Sequence, residues 1–266
     1  MANLVFFHAH PDDEAISTGG TMALASDQGH TVTLVVATRG EMGEPAPGVL
    51  NEGELLGDRR EREVYASAKI LGVHHVEFLG YRDSGMIDES SNDDPTCFWQ
   101  ADLEEASQRM AALLTQANAD ILIGYDPHGV YGHPDHVKVH LVGARAAEIA
   151  GVERVLWATA NRTRFEQAAE DGAFGEDELN EDERVDRSEF GMPEEELTHA
   201  IDVSAVLDRK RASLMAHASQ ITEESFFLAM PDEHFSMAFG TEWMVDAARF
   251  AQSRERQGEL ATSIFD

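Results

Sequence analysis

The chain of 266 residues contains one cysteine, few basic residues and no long apolar run. Its single cysteine, Cys97, cannot form an internal disulfide or a thiolate cluster, so any metal must be held by histidine and carboxylate side chains. No stretch approaches the roughly 18 apolar residues that a membrane span needs, and the N-terminus lacks the basic start of a secretion signal. We therefore expect a cytoplasmic protein.

The charge of the chain is strongly one-sided. Lys and Arg number 20 against 50 Asp and Glu, which gives a formal net charge of −30. A surface of this sign repels phosphate backbones and anionic membranes, so we expect neither nucleic acid nor membrane as a partner. A small-molecule substrate is the expected partner, and a hydrophobic content of 42% suffices for a full core.

Short β-rich segments alternate with helical segments over the first 160 residues. The five candidate strands are residues 3–8, 31–38, 75–80, 120–125 and 154–158. This alternation predicts an α/β fold with a Rossmann-like, mostly parallel sheet, helices on both faces, and ligands at the carboxyl ends of the strands. We expect residues 1–160 to form the catalytic core. Residues 161–266 are expected to add an acidic insertion or lid and a smaller C-terminal helical appendage, packed on the core within a single domain.

The helix after the second strand is the clearest one in the sequence. Apolar residues recur at helical spacing up to Leu71, and Gly72 ends the pattern. Asp58 and Glu61, three residues apart, predict a capping box at its start. A further helix is expected around residues 204–219.

The first strand leads into the stretch AHPDDE, where a dinucleotide-binding protein would carry a glycine-rich loop. His10 and Asp13, three residues apart across a strand-to-helix turn, can face one point, with Asp12 projecting beside them. These acids also suit the first turn of any helix, which is the competing interpretation. A histidine from another strand end would complete a site with two histidines and one carboxylate, which leaves positions open for water and substrate.

A second cluster, YGHPDHVKVH, follows the fourth strand. Pro134 suits the first helical position, which predicts that His133 caps the helix and that His136 lies in its first turn. One of these histidines can bind a metal while the other meets developing negative charge. His140 lies one turn deeper on the same face, so His136 with His140 is an alternative pair of ligands.

Four blocks of this sequence resemble the PIG-L or LmbE-like family of metal-dependent N-deacetylases: AHPDDE, the helix from Arg60 to Gly72, YRDSGM and HPDH. The resemblance covers roughly residues 3–160. It implies an LmbE-like fold, association into homo-oligomers, and hydrolysis of the acetamide of an N-acetylglucosamine-containing substrate with Zn²⁺ as cofactor, although the donor types also permit Fe²⁺. The stretches YGHPDH and LDRKRASLMAHASQ are most similar to actinobacterial members of mycothiol metabolism, which include a biosynthetic deacetylase and a conjugate amidase.

The same resemblance implies a role for each site residue. It makes three residues metal ligands, namely His10, Asp13 and His136. It makes three others catalytic, namely Asp12 as general base and His133 with Tyr131 as stabilisers of the tetrahedral oxyanion. It assigns the sugar to two further residues, namely Arg60 and Asp83.

Arg60 also has an interpretation from its helix alone. It falls on the apolar stripe one turn before Val64, so it should point inward, where its charged fork needs a partner or a ligand. A buried salt bridge is the alternative to sugar binding.

Two other classes of function are compatible with the pattern. A site of two histidines and one carboxylate also suits a non-haem iron oxygenase, although Asp12 has no obvious task in one. A sugar-binding protein with a degenerate site is the other alternative, which the intact motif disfavours.

Overall fold

The computed structural model describes residues 1–170, 189–255 and 258–266. The described strands are β1 (Asn3–His8), β2 (Thr31–Val36), β3 (His75–Phe78), β4 (Ile121–Tyr125), β5 (Arg154–Thr159), β6 (His199–Asp202) and β7 (Thr241–Asp246). The described helices are α1 (Asp13–Ser17), α2 (Gly19–Asp27), α3 (Leu56–Leu71), α4 (Leu103–Ala117), α5 (Gly129–Gly132), α6 (Pro134–Ala150), α7 (Arg162–Glu170), α8 (Leu207–Ala216), α9 (Phe226–Ala229), α10 (Asp232–Phe239) and α11 (Ala247–Gln252). Within these ranges, no helix combines the length and the apolarity needed to cross a bilayer.

The strands form one sheet of order β3-β2-β1-β4-β5-β7-β6. β1 to β5 are parallel, and the central strands β1, β2 and β4 are almost entirely buried. In β1, Leu4 and Phe6 pack on one core cluster, and Val5 and Phe7 pack on the other. Because the central strands contact a hydrophobic core on each face, they appear in the sequence as nearly continuous apolar runs. The predicted α/β fold with a mostly parallel sheet and helices on both faces is confirmed.

The order of the strands reverses beside β1. β2 and β3 follow on one side of it, whereas β4 and β5 lie on the other side. The segments that leave β1 and β4 therefore diverge and open a crevice at their carboxyl ends, which is where ligands bind in open α/β sheets. Both histidine clusters of the sequence enter this crevice, one after β1 and one after β4.

The C-terminal part of the chain contributes two strands that the sequence did not reveal. β7 pairs antiparallel with β5, and β6 pairs antiparallel with β7. Glu242 interrupts the apolar pattern of β7, yet it is buried, forms an ion pair with Lys210 and accepts the N–H groups of Gly20 and Thr21, each at 2.8 Å. The predicted helix at 204–219 is present as a 3-10 turn (Ser204–Val206) followed by α8. Of the predicted acidic lid, residues 171–188 lie outside the described residues.

The boundaries of α3 correct one expectation. Gly72 ends the helix in the left-handed conformation, with φ 80°, as predicted. The capping box is wrong, because the helix begins earlier, after Leu55, and no side chain among the described residues caps it. Asp58 therefore lies inside the first turn, where its Oδ1 accepts a hydrogen bond from Arg39 Nη1 at 2.8 Å.

Candidate active site

Three donor atoms from the two loops meet in the crevice. His10 Nδ1 lies 3.3 Å from His136 Nε2, and Asp13 Oδ2 lies 3.4 Å from each of these nitrogens. Donors that each lie about 2.1 Å from a tetrahedral metal are about 3.4 Å apart, so the spacing fits a divalent cation. The structure thus brings the three predicted ligands, which we call the triad, together in a nearly buried site.

The local fold of the two loops fixes the triad. Asp13 opens α1, and its Oδ2 also accepts the backbone N–H of His10 at 2.7 Å. His136 lies in the first turn of α6, as predicted. Gly129 precedes it with φ 66°, and a Cβ atom at this position would come within 2.6 Å of the Cβ of His136. Only glycine allows both this backbone conformation and this close approach.

Asp135 holds the outer nitrogen of His10. Its Oδ2 lies 3.1 Å from His10 Nε2 and 3.0 Å from the N–H of Ser84, and the Ser84 hydroxyl donates to its other oxygen. Burial opposes protonation of His10, but the charge of Asp83 and hydrogen bonds to Asp13 and Asp135 raise its pKa well above the ordinary value. A cation at Nδ1 would displace the second proton of this ring, and the proton that stays on Nε2 would be shared with Asp135, as in many carboxylate–histidine–metal arrangements.

Tyr125, at the end of β4, contacts two members of the triad. Its ring stacks on His136 with centroids 4.4 Å apart, and burial together with the charge of Asp13 raises its pKa well above the ordinary value. Its hydroxyl is therefore protonated and also lies 2.8 Å from His8 Nδ1. Tyr125 therefore restrains the orientation of His136 and Asp13.

His133 caps α6, as predicted. Its Nδ1 accepts the backbone N–H of Asp135 at 3.1 Å. Burial, followed by the charges of His10 and His136, lowers its pKa to about 2. The ring is therefore neutral, with its proton on Nε2. His133 also belongs to a set of three histidines, with His10 and His136, whose donor atoms lie within 4.8 Å of one another.

Asp12 stands beside the triad in an unusual backbone conformation, with φ 104° and ψ −29°. Its N–H donates to Glu14 Oε2 at 3.0 Å, and its Oδ2 accepts from Arg60 Nη2 at 3.1 Å. Burial raises the pKa of Asp12 to about 6, against the opposing charge of Arg60. This carboxyl group can therefore exchange protons near neutral pH.

Arg60 and Asp83, the two residues predicted to contact the sugar, lie at the site, but in this structure they bind other groups of the protein. Arg60 points inward, and it donates to three acceptors, namely Gly40 O, Pro11 O and Asp12 Oδ2. The buried salt bridge that the sequence allowed is thus present. Asp83 is buried and accepts two backbone N–H groups, namely those of Met42 at 3.1 Å and Gly85 at 2.9 Å. A role in sugar binding stays a prediction for both.

Tyr131 lies at the edge of the triad, with its hydroxyl 3.5 Å from His136 Nε2. The preceding Val130 has φ 68°, which is rare for a β-branched residue and marks a strained turn.

His140 does not reach the triad. Its Nδ1 donates to the carbonyl of Tyr125 at 3.0 Å, so the alternative pair of His136 and His140 is not brought together around a common point.

Sequence patterns assigned no role to Glu14 and His217, a buried pair that is joined to Asp12 through the Glu14 carboxylate. His217 Nε2 lies 2.6 Å from Glu14 Oε1, and the exposure of both residues is 0%. Glu14 stands in the AHPDDE motif, which was a usable signal. His217 follows α8 and is 203 positions away in the chain, so no local pattern could have joined the two residues.

Comparison with known proteins agrees with this geometry. The family described as PIG-L, GlcNAc-PI de-N-acetylase, matches residues 5–148. The chain belongs to this family. A PIG-L relative from Acidothermus cellulolyticus, described as 1D-myo-inositol 2-acetamido-2-deoxy-alpha-D-glucopyranoside deacetylase, is 40% identical over 258 residues, covering 92% of this chain and 88% of that one. A relative with the same description from Thermomonospora curvata is 38% identical over 262 residues, covering 90% and 88%.

Two solved structures with different described activities share the fold of this chain. N,N'-diacetylchitobiose deacetylase from Pyrococcus horikoshii is similar with a TM-score of 0.58 and 19% identity, over 94% of this chain and 86% of that one. GalB, the 4-carboxy-2-hydroxymuconate hydratase of Pseudomonas putida, is similar with a TM-score of 0.59 and 19% identity, over 98% and 100%. Because the fold carries both a deacetylase and a hydratase, the reaction must be argued from the site.

Proposed function

We propose that this protein is a zinc-dependent N-deacetylase that hydrolyses the acetamide of a small N-acetylglucosamine-containing substrate, of the type used in mycothiol biosynthesis. The observation that carries the proposal is the triad with donors 3.3 to 3.4 Å apart, together with the carboxyl of Asp12, which directly precedes Asp13 and interacts with it electrostatically. The shared description of the relatives, an N-acetylglucosamine joined to inositol, supports this substrate class.

The proposed ligands are His10 Nδ1, Asp13 Oδ2 and His136 Nε2. His133 fits a ligand role less well, because its Nδ1 already accepts a backbone N–H and its Nε2 carries the proton. When bound, Zn²⁺ supplies an acidified water and a Lewis acid for the amide carbonyl. Nitrogen and oxygen donors also accept Fe²⁺, so the identity of the metal rests on the zinc preference of comparable hydrolases.

Asp12 is the proposed general base and acid. It accepts the proton of the attacking water and returns it to the nitrogen of the departing amine. Proton return is required because an amide nitrogen is a poor leaving group. A pKa near 6 lets the same carboxyl group take up and release the proton at neutral pH.

His133 and Tyr131 are the proposed donors to the developing oxyanion. The neutral ring of His133 offers its Nε2–H, since Nδ1 serves as the cap of α6. Burial raises the pKa of Tyr131 above its ordinary value, so its hydroxyl also keeps its proton. Two fixed donors stabilise charge in a water-poor site without reorganisation.

Arg60 and Asp83 are proposed to hold the sugar. Arg60 contacts Asp12, and Asp83 Oδ1 lies 3.5 Å from His10 Nε2, so a hydroxyl near either would be close to the reacting amide. We propose further that residues 1–160 form the catalytic core and that residues 161–266 support it. Cytoplasmic location and homo-oligomer formation stay predictions.

A conjugate amidase is the closest rival, because the same groups would cleave either amide. The descriptions of the relatives favour the deacetylase. An iron oxygenase has no use for Asp12, and a degenerate sugar-binding protein has no use for an intact triad.

The proposal is tested with metal-free protein reloaded with Zn²⁺. We expect equal amounts of acetate and free amine from an N-acetylglucosaminide linked at its first carbon, with activity lost on chelation and restored by zinc. Sugar binding without acetate release would support the binding-protein alternative. Oxygen consumption with an oxo-acid cosubstrate and Fe²⁺ would support the oxygenase.

A further inference from the structure

The strained backbone of Asp12 needs a restraint. A positive φ of 104° is costly for a residue with a side chain, and such conformations persist only where surrounding contacts enforce them. The peptide that joins Pro11 to Asp12 is held at both of its polar groups, because its carbonyl accepts from Arg60 Nη2 and its N–H donates to Glu14 Oε2 at 3.0 Å. Arg60 also holds the Asp12 carboxylate, so Glu14 is the partner that acts on the backbone N–H alone.

Glu14 is itself fixed by two donors on its other oxygen. Ser67 Oγ of α3 and His217 Nε2 both lie 2.6 Å from Glu14 Oε1. Glu14, Ser67 and His217 are fully buried, so solvent does not compete for these bonds. With Oε1 held by α3 and by the segment after α8, Oε2 faces the Asp12 N–H.

The side chain of His217 forms its hydrogen bond with Glu14. Its Nδ1 is buried and has no hydrogen-bond partner in the described part of the chain, so its polar contact is with Glu14. Ser219, two residues on, anchors the same segment by donating its N–H and hydroxyl to Glu63 at 3.0 and 2.6 Å. The segment at 217–219 thus joins the first loop to α3.

We propose that Glu14 and His217 are positioning residues that hold the backbone of Asp12 in its left-handed conformation and so keep the carboxylate beside the triad. This inference rests on the proposed role of Asp12 as general base. Without the Glu14 acceptor, Asp12 relaxes towards negative φ and its carboxylate moves away from the attacking water. Displacement of a reacting group by about 1 Å can cost roughly 100-fold in rate.

The kinetic test compares His217→Leu, which removes the donor at similar size, with His217→Gln, which keeps an N–H near the same place. We expect His217→Leu to lower kcat about 10- to 100-fold, with KM within about twofold and zinc content unchanged, and His217→Gln to recover most of the loss. Ser219→Ala is the matched control. It removes a buried hydrogen bond from the same segment without touching Glu14, and its kcat should stay within about twofold of the parent.

A double-mutant cycle separates positioning from general stability. In an Asp12→Asn background, His217→Leu should change kcat by less than about twofold, because the group that it positions has already lost its function. The same loss in both backgrounds would overturn the proposal, as would a normal kcat for His217→Leu. Full activity of Asp12→Asn alone would instead refute the proposed function.

A third readout needs neither metal nor substrate. Ser67→Ala removes the other donor to Glu14 and keeps the inference testable if His217→Leu does not fold. We expect it to move the NMR resonance of the Asp12 amide in metal-free protein, whereas Ser219→Ala leaves that resonance in place. An unmoved Asp12 resonance in Ser67→Ala, together with normal kcat, would contradict the proposed restraint.

Discussion

Replacement of Asp12 by Asn changes the chemistry of one carboxylate and keeps its shape. The carbonyl oxygen of the amide can keep the hydrogen bond from Arg60 Nη2, now 3.1 Å from Asp12 Oδ2, and the Asp12 N–H still faces Glu14. The amide cannot accept the proton of the attacking water. Loss of a general base typically costs 10²- to 10⁴-fold in rate, which is about 2.7 to 5.4 kcal/mol in transition-state stabilisation.

The assay for Asp12→Asn measures amine release and bound zinc on the same preparation. We expect a full complement of zinc and a kcat lower by the stated factor. Glu148→Gln, which removes an exposed carboxylate of α6, controls for the change in net charge and should leave both quantities unchanged. Loss of zinc from Asp12→Asn would mean that the base and the ligand, Asp12 and Asp13, have been exchanged. An unchanged kcat with zinc present would refute the proton-transfer role.

Four further substitutions test other parts of the site and of the fold. His136→Ala should strip the metal, whereas His133→Ala should keep it and lower turnover; equal metal content in both, measured by elemental analysis, would contradict the assignment. Asp83→Ala should cost about 1 to 3 kcal/mol in transition-state stabilisation, from kcat/KM for a 1-linked glucosaminide. An equal loss on a simple acetamide without sugar hydroxyls would make Asp83 a structural residue. Burial, with the charge of Arg154, lowers the pKa of His199 from 6.5 to about 4. The unfolded chain therefore binds this proton in that window while the folded chain does not, so the free energy of unfolding should fall as the pH drops from 6.5 to 4, by at most about 3 kcal/mol. His199→Gln should flatten this part of the pH dependence in denaturant titrations; an unchanged slope would contradict the reasoning.

The sequence predicted those parts of the fold that depend on local patterns of residues, such as apolar runs and helix-start signals. β1, β2 and β4 were found because strands buried on both faces are nearly continuous apolar runs. The cap at His133 was found because Pro134 marks a first helical turn. β7 was missed because Glu242 stands in its interior, where an ion pair with Lys210 offsets the cost of burying its charge.

The contacts of the site likewise divide into those that local patterns predicted and those that they did not. His10 and Asp13 lie three residues apart, and the parallel sheet brings their loop to the second histidine cluster, so motif and topology predicted that the two loops meet. The choice of His136 as the third ligand rested on the family resemblance. The contacts of Asp12 were not predicted, because Glu14 is held by His217 from the far end of the chain. Side chains that act through long-range buried hydrogen bonds leave no periodic signal in a sequence.

Whether the protein deacetylates an amino sugar is decided by comparing its rates on different amide substrates. With zinc-loaded protein, we measure kcat/KM for N-acetylglucosamine joined to inositol, for free N-acetylglucosamine and for an acetyl-lysine peptide. We expect measurable acetate release from the free sugar, a higher kcat/KM for the inositol-linked sugar, and the lowest value for the peptide. Faster cleavage of the acetyl-lysine peptide than of either sugar would contradict it.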